Sequence, residues 1–285
     1  MSLLVAQEGF TGPAADAVMA RAGSENFPVA SRLLGSDARR RLLAVYGFAR
    51  LVDELGDSYE GERLEALDEL ERDLDRAFAG DARHPLLVAL TPVLHECSLA
   101  PEPFRRLIEA NRIDQRVSRY ETWEQLRAYC SLSADPVGEI VLGVFGVSTP
   151  ERVALSNSIC TALQLAEHCQ DVAEDFSEGR IYLPREDMAR FGCSERELAR
   201  ASASEPLRRV LAFEVERARS LLDEGQPLID QLRGRVRLAV AAFAAGGRAA
   251  LDAIERAGYD VLGGPPKAGR ARRLRALVGT LRGHT

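Results

Sequence analysis

Aromatic residues are scarce in this chain, 6% of 285 residues, with a single tryptophan, Trp123. Alternating apolar and polar runs are hard to find, so there is little from which to build strands. No stretch of about 18 apolar residues occurs, which argues against a membrane-spanning helix. A basic leader followed by an apolar core is missing from the first residues, so no secretory signal is expected. The five cysteines, Cys97, Cys130, Cys160, Cys169 and Cys193, form no C-x-x-C pair and are odd in number. They read as reduced structural thiols, and the expected compartment is the cytoplasm. Four histidines cannot supply the two Glu-x-x-His pairs of a di-iron carboxylate bundle. His84, His95 and His284 lack acidic or cysteine partners at metal-ligand spacing and are expected at the surface. No G-x-G-x-x-G follows a strand, so no nicotinamide site is expected.

What is present is helical. Hydrophobic residues make up 46% and charged residues 28%, the balance of a globular chain long enough for a large core. The expected fold is a single all-α domain over residues 1–262, followed by a basic tail over 263–285. Asn26 is placed to cap a short helix with Pro28 in its first turn, and Asp37 a longer one running through Asp57. Proline and glycine breaks then separate runs near 61–79, 85–97, 102–118, 122–146, 150–176, 205–223 and 233–258. Pro136 should kink the fourth of these, and Trp123 should anchor its start after Thr122. Residues 177–192 read as a loop with one short helical turn. From 261 onward there are six basic residues (Lys267, Arg270, Arg272, Arg273, Arg275 and Arg282) and no acid, so the rest is more acidic than the net charge of −6. An acidic body argues against nucleic acid as a partner. For the basic tail two readings stand: a solvated terminus, or a foot on anionic lipid at the inner face of the membrane.

Against this background two acidic pairs stand out. Asp53 and Asp57 lie four apart, as do Asp171 and Asp175, each within an apolar-periodic run. A helix turns about 100° per residue, so each pair lies on one helical face. Acids are common, 43 of 285 residues, so one such pair could be a solvated face and nothing more. Each pair, however, continues a polar stripe. Tyr46 and Arg50 lie above the first, with Phe48, Leu51, Val52 and Leu55 behind. Gln164 and His168 lie above the second, with Glu167 at the edge. Two such faces turned toward each other suit Mg²⁺, which takes one or two carboxylates and fills its remaining positions with water and phosphate oxygens. The pattern reads as a site for a metal-chelated diphosphate.

These residues also carry a resemblance that covers nearly the whole chain. The stretch Tyr46–Asp57, YGFARLVDELGD, resembles the first aspartate-rich signature of the squalene/phytoene synthase family. Gln164–Asp175 followed by Gly179–Pro184, GRIYLP, resembles the second, and Tyr129–Gly138 resembles the small-residue helix between them. The resemblance implies an α-helical isoprenoid-synthase bundle with a central cavity and Mg²⁺ as cofactor. It implies that Asp53, Asp57, Asp171 and Asp175 hold the metal. Arg50, Tyr46, Arg180 and Tyr182 would contact the diphosphate, Ser24 and Asn26 would lie near a phosphate, and Tyr129 and Gln164 would face the cavity. Two positions depart from the family pattern. Glu54 stands where an aspartate is frequent. Glu167 stands where an asparagine is frequent; it would recruit metal, raise a neighbour's pKa, or point away. For His168 two roles stand: a base or hydrogen-bond donor toward pyrophosphate, or a structural ring. For Tyr129 and Phe145 two roles stand as well: an aromatic face toward a carbocation, or an ordinary place in the core.

Within the family, Glu25–Ser31 and Gly246-Gly247-Arg248 resemble the bacterial hopanoid branch. That implies presqualene diphosphate and water giving hydroxysqualene and pyrophosphate, beside partner enzymes of squalene formation. The alternative is a head-to-head condensation of two prenyl diphosphates to presqualene diphosphate or phytoene.

Overall fold

The computed structural model describes residues 13–19, 35–266 and 268–282. Thirteen α-helices carry the described chain: α1 (Ala15–Met19), α2 (Ser36–Asp53), α3 (Arg63–Ala79), α4 (Pro85–Glu96), α5 (Glu102–Asp114), α6 (Trp123–Ser133), α7 (Asp135–Val144), α8 (Pro150–Gln170), α9 (Val172–Ser177), α10 (Arg185–Arg190), α11 (Glu205–Gln231), α12 (Gly234–Arg256) and α13 (Arg270–Arg282). Among the described residues there is no strand, only an isolated bridge between Arg119 and Ile181. The all-α expectation therefore holds. No helix of the described residues is long and apolar enough to cross a membrane.

Two apolar cores form. One gathers α2, α3, α4 and α5 around Phe48 and Phe104, whose rings meet edge-on at 5.2 Å. The other gathers α6, α8, α11 and α12 around Leu126, Leu165, Leu211 and Leu251. Helix α7 serves both, with Ile140 and Val141 in the first and Leu142 in the second. Phe145, at its end, packs against both cores and does not line the cavity that lies between them, which is the core reading of the two open for it.

The α8–α11 pairing is the most extensive among the described residues. It depends on Gly225, where a Cβ would lie 2.3 Å from Ile159 Cγ1 and 2.9 Å from the Leu155 carbonyl oxygen. The backbone oxygen cannot move aside, so the helices would have to part. Gly225→Val is expected to cost about 2–3 kcal/mol, lowering the melting midpoint by roughly 5–10 °C, measurable by calorimetry. Gly247 on α12 also packs closely, since a Cβ would lie 2.5 Å from Leu163 Cδ2, but there a side-chain end and not backbone is in the way. Arg248 Nη2 pairs with Asp223 Oδ1 at 2.8 Å. Gly247 and Arg248 of the signature thus bring α12 against α8 and α11, whereas a Cβ at Gly246 would meet nothing within 4 Å.

Several boundaries differ from the sequence expectation, each for a physical reason. Helix α11 runs past Pro227 to Gln231, not to 223. Burying Leu228 and Ile229 completely outweighs a proline in the helix, about 1.5–3 kcal/mol for each side chain against about 3 for the proline. Helices α6 and α7 are separate, with Asp135 buried at the junction, bonded to Thr161 Oγ1 at 2.8 Å and paired with Arg127 at 2.9 Å. Asp37 lies in the first turn of α2, after Gly35, where its charge favours the helix dipole without capping it. The Asn26-capped helix falls outside the described residues. His84 is 4% exposed, not at the surface; its Nδ1 accepts from the Leu86 backbone N–H. His95 is exposed as expected.

The expected basic tail contains a docked helix. In α13, Leu277 and Leu281 pack on the second core, and Thr280 is 1% exposed. Gln226 Nε2 donates to the Thr280 carbonyl at 3.0 Å, and Arg237 Nη2 to the Leu281 carbonyl at 3.1 Å. The apolar residues at i and i+4 were hidden among arginines.

All five cysteines are free thiols. Burial pushes Cys130, Cys160 and Cys193 up to about 12, and Cys169 upward as well.

Candidate active site

The first acidic motif sits where α2 changes pitch. After Asp53 the chain makes one π-helical turn, Glu54–Ser58. Such wide turns recur at functional sites. This one exists because α5 passes close by: a Cβ on Gly56 would lie 1.9 Å from Asn111 Oδ1. Gln115 Nε2 donates to the Gly56 carbonyl at 3.0 Å, satisfying a group the turn would otherwise strand. The second motif sits at a break. Helix α8 ends at Gln170, and Asp171 leaves helical geometry with φ −101 and ψ 14 before α9 begins. The run expected as one helix over 150–176 is therefore two, though the Asp175 N–H still bonds the Asp171 carbonyl at 2.8 Å.

The two motifs face one another. Arg180 Nη1, in the loop after the second, reaches Asp57 Oδ1 of the first at 2.9 Å. That loop is pinned down. The Arg180 N–H bonds the Asp175 carbonyl at 2.8 Å, and the Ile181 N–H bonds the Ser118 carbonyl at 2.9 Å. Arg119 Nη1 donates to the Gly179 carbonyl at 2.6 Å.

Between the walls opens a cavity of about 450 Å³. Of the residues singled out in the sequence, Tyr46, Arg50, Asp53, Asp57, Tyr129, Gln164, Glu167, His168, Asp171, Asp175, Arg180 and Tyr182 line it, whereas Glu54 and Phe145 do not. Ser24 and Asn26 lie outside the described residues. Deeper, the lining turns apolar with Leu42 and Val45 of α2, Val137 and Val141 of α7, Ile159 and Leu163 of α8, and Val240 and Phe243 of α12. From Asp171 down to Ser156 along α8 the bore runs roughly 20 Å at about 1.5 Å per residue.

Charge is arranged unequally on the walls. On the first, Arg50 Nη1 lies 3.5 Å from Asp53 Oδ2 and Arg180 holds Asp57. On the second, Asp171 and Asp175 make no ion pair among the described residues. Burial and each pair's neighbours push both carboxyls upward, Asp175 to about 7, with Asp171 the chief charge acting on it. Crowded hard oxygens that resist ionising together are what a divalent cation relieves, so the donor set fits Mg²⁺. Among the described residues no three acids, histidines or cysteines form a cage able to hold a metal by themselves. The fit is to an ion that the carboxylates share with a substrate's phosphates.

Below the mouth lies an aromatic box. The His168 ring stacks on Tyr182 at 4.0 Å and 10°, and Tyr129 lies 5.6 Å from Tyr182 and 5.4 Å from Tyr120. His168 Nε2 has no hydrogen-bond partner among the described residues, and burial lowers the pKa of the ring to about 3, so it is neutral. Asp114, at the end of α5, ties the box together. It accepts from Tyr129 Oη at 2.6 Å and from Tyr182 Oη at 3.0 Å. Burial raises its pKa to about 6, against the two phenol bonds and the charge of Arg180. Asp114 and Asn111 line the cavity and were missed in the sequence, where an i, i+3 polar pair on one helix was the only signal. Glu167 lines the cavity too, which removes the reading that it points away.

The arrangement joins an acidic, arginine-bearing mouth to an apolar bore. A squalene/phytoene synthase family model matches residues 20–276. A hydroxysqualene synthase of Rhodopseudomonas palustris is 35% identical over 213 residues, 73% of this chain and 72% of its own length. A 15-cis-phytoene synthase of Synechococcus elongatus is 34% identical over 254 residues, 84% of this chain and 82% of its own. Among solved structures, a squalene synthase of Alicyclobacillus acidocaldarius superposes with a TM-score of 0.79 at 45% identity, covering 86% of this chain and 94% of its own. With a matching family model over most of its length and a matching fold around one acidic-mouthed cavity, the chain belongs to the squalene/phytoene synthase family, a family of isoprenoid-synthesising enzymes.

Proposed function

We propose that this protein is a Mg²⁺-dependent hydroxysqualene synthase, converting presqualene diphosphate and water to hydroxysqualene and pyrophosphate. The observation that carries the reading is a polar flank in the cavity. Gln164, Glu167 and His168 sit between the acidic mouth and the apolar bore, where a water has a place beside an otherwise dry hydrocarbon. The likeness to a squalene synthase at 45% identity and to a hydroxysqualene synthase at 35% supports it.

Arg50 and Arg180 present planar forks suited to diphosphate oxygens. Bound Mg²⁺ would neutralise the departing diphosphate. The C–O bond breaks with its electron pair leaving on pyrophosphate. The bore keeps bulk water from the cation. One water oxygen then bonds to carbon, and its surplus proton leaves toward pyrophosphate.

The test is presqualene diphosphate with Mg²⁺ in ¹⁸O-labelled water, without reduced nicotinamide. The expected product is hydroxysqualene carrying the label. Rapid consumption of farnesyl diphosphate with accumulation of presqualene diphosphate or phytoene would establish the condensing reading instead, which the 34% identity to a phytoene synthase keeps in view. Metal affinity should also depend on pH. The ion binds ionised carboxylates, and Asp175 holds its proton up to about pH 7. Apparent Mg²⁺ affinity should therefore be level above pH 7 and fall roughly tenfold per unit below it, read by calorimetric titration.

A further inference from the structure

The two acidic walls are not equivalent, and from that difference we infer that Arg180 is a placeholder for metal on the first wall, displaced from Asp57 when a diphosphate arrives. The inference rests on the diphosphate reading above and concerns the order in which the site is filled.

The geometry is specific. Arg180 Nη1 meets Asp57 Oδ1 at 2.9 Å, with the arginine side chain 17% exposed. Its backbone is fixed by the bond to the Asp175 carbonyl, so only the side chain is at liberty to turn. The guanidinium therefore sits at the junction of both motifs, with Asp57 on one side and the second motif on the other. Asp53 faces Arg50 at 3.5 Å in the same way. A carboxylate already paired with an arginine offers little to a cation. Asp171 and Asp175, without an arginine partner within ion-pair distance among the described residues, offer much. The second wall is thus ready for metal before substrate, and the first is not.

A diphosphate changes the balance. It carries several negative charges and oxygens matched to the arginine fork, so it competes with Asp57 for Arg180. Once the guanidinium turns to phosphate, Asp57 is exposed to a cation that also touches the diphosphate. Anion and metal binding at the first wall are therefore coupled, and by linkage each strengthens the other by the same factor. The device keeps the first wall neutralised in the free protein and makes completion of the site depend on a diphosphate being present.

The experiment is a titration of the full chain with Mn²⁺, free ion being read by electron paramagnetic resonance, with and without inorganic pyrophosphate. Four proteins are compared: wild type, Arg180→Gln, Asp57→Asn and Asp171→Asn. In the wild type, pyrophosphate should add metal to that bound without it. Without pyrophosphate, Arg180→Gln should bind additional metal, or bind it roughly three- to tenfold more tightly, as expected for release of one partly exposed ion pair. Asp57→Asn should match the wild type without pyrophosphate, because Asp57 is already occupied, and fall short of it with pyrophosphate. Asp171→Asn should bind less in both conditions. If Arg180→Gln and wild type bind metal identically without pyrophosphate, or Asp57→Asn is already impaired there, the placeholder is wrong and the diphosphate reading stands. If wild type binds no metal even with pyrophosphate, both are overturned. Asp57→Asn retains the native loop arginine, so its two titrations decide the matter even if Arg180→Gln does not fold.

Discussion

Replacing Asp171 by asparagine is expected to lower turnover by roughly a thousandfold while leaving the fold intact. A metal that neutralises a leaving diphosphate contributes several kcal/mol to the transition state, and about 1.4 kcal/mol corresponds to each factor of ten. Asparagine keeps the shape of the side chain but offers a neutral amide to a cation that favours charged oxygen. The fold has little to lose. Asp171 makes no ion pair among the described residues, and its carboxyl is pushed upward by burial and by Glu174. Removing that charge relieves repulsion against Asp175, so the metal-free variant should melt no lower than wild type. Turnover under saturating Mg²⁺, with a melting curve on the same sample, makes the check. Activity within tenfold of wild type would remove Asp171 from the metal site.

A second large loss is expected at Asp114, a residue no motif announced. Its carboxylate accepts from Tyr129 Oη at 2.6 Å and from Tyr182 Oη at 3.0 Å, and so sets where both phenols point. In Asp114→Asn one oxygen is replaced by an amide N–H donor, so one phenol must change from donating to accepting, and both bonds go to a neutral group. A hydrogen bond to a charged group is worth about 1.5–3 kcal/mol, which predicts a loss of roughly 10- to 100-fold in turnover if the phenol geometry serves the chemistry. Stability should move the other way or hardly at all. The carboxyl holds its proton to about pH 6 in the fold, well above the ordinary range, so the folded state binds more protons than the unfolded one between about pH 4 and 6. Stability from this group is therefore present at low pH and lost as pH rises through 6; at pH 7.5 the charge opposes folding. Asparagine removes that opposition. Low activity in a variant that melts near wild type is the expected signature; equal losses of both would mark Asp114 as merely structural.

Much of the site was legible in the sequence, because its parts are local. A carboxylate pair at i, i+4 under a stripe of Tyr46 and Arg50, or of Gln164 and His168, needs only helical periodicity to be seen. The apolar back of Phe48, Leu51, Val52 and Leu55 is buried to within 1%. What local pattern does not contain is pitch and partnership. The π turn at Glu54–Ser58 arises from the close passage of α5 at Asn111, a residue far along the chain. Asp114 acquires meaning only when α6 and the loop after α9 bring two phenols to it. His168 shared its stripe with catalytic candidates, yet its ring is stacked and neutral, because burial is a tertiary property. Arginine-rich composition concealed α13, whose docking depends on few apolar side chains and two bonds to backbone carbonyls. Pro227 misdirected the end of α11 for the opposite reason: a strong local signal yielded to the burial of two large side chains.

The buried thiols have a practical consequence for labelling chemistry. Alkylating reagents attack the thiolate, and a thiol pushed up to about 12 is ionised at neutral pH roughly a thousandfold less than an ordinary one. Cys97, half-buried against the Val144 carbonyl, is the native site most open to reagent, and serine there would leave a background of very slow reactivity. A cysteine placed at exposed Glu178 would then take a maleimide dye almost alone. It would stand three residues beyond Asp175, so a fluorophore there would report each arrival and departure at the mouth without disturbing the bore.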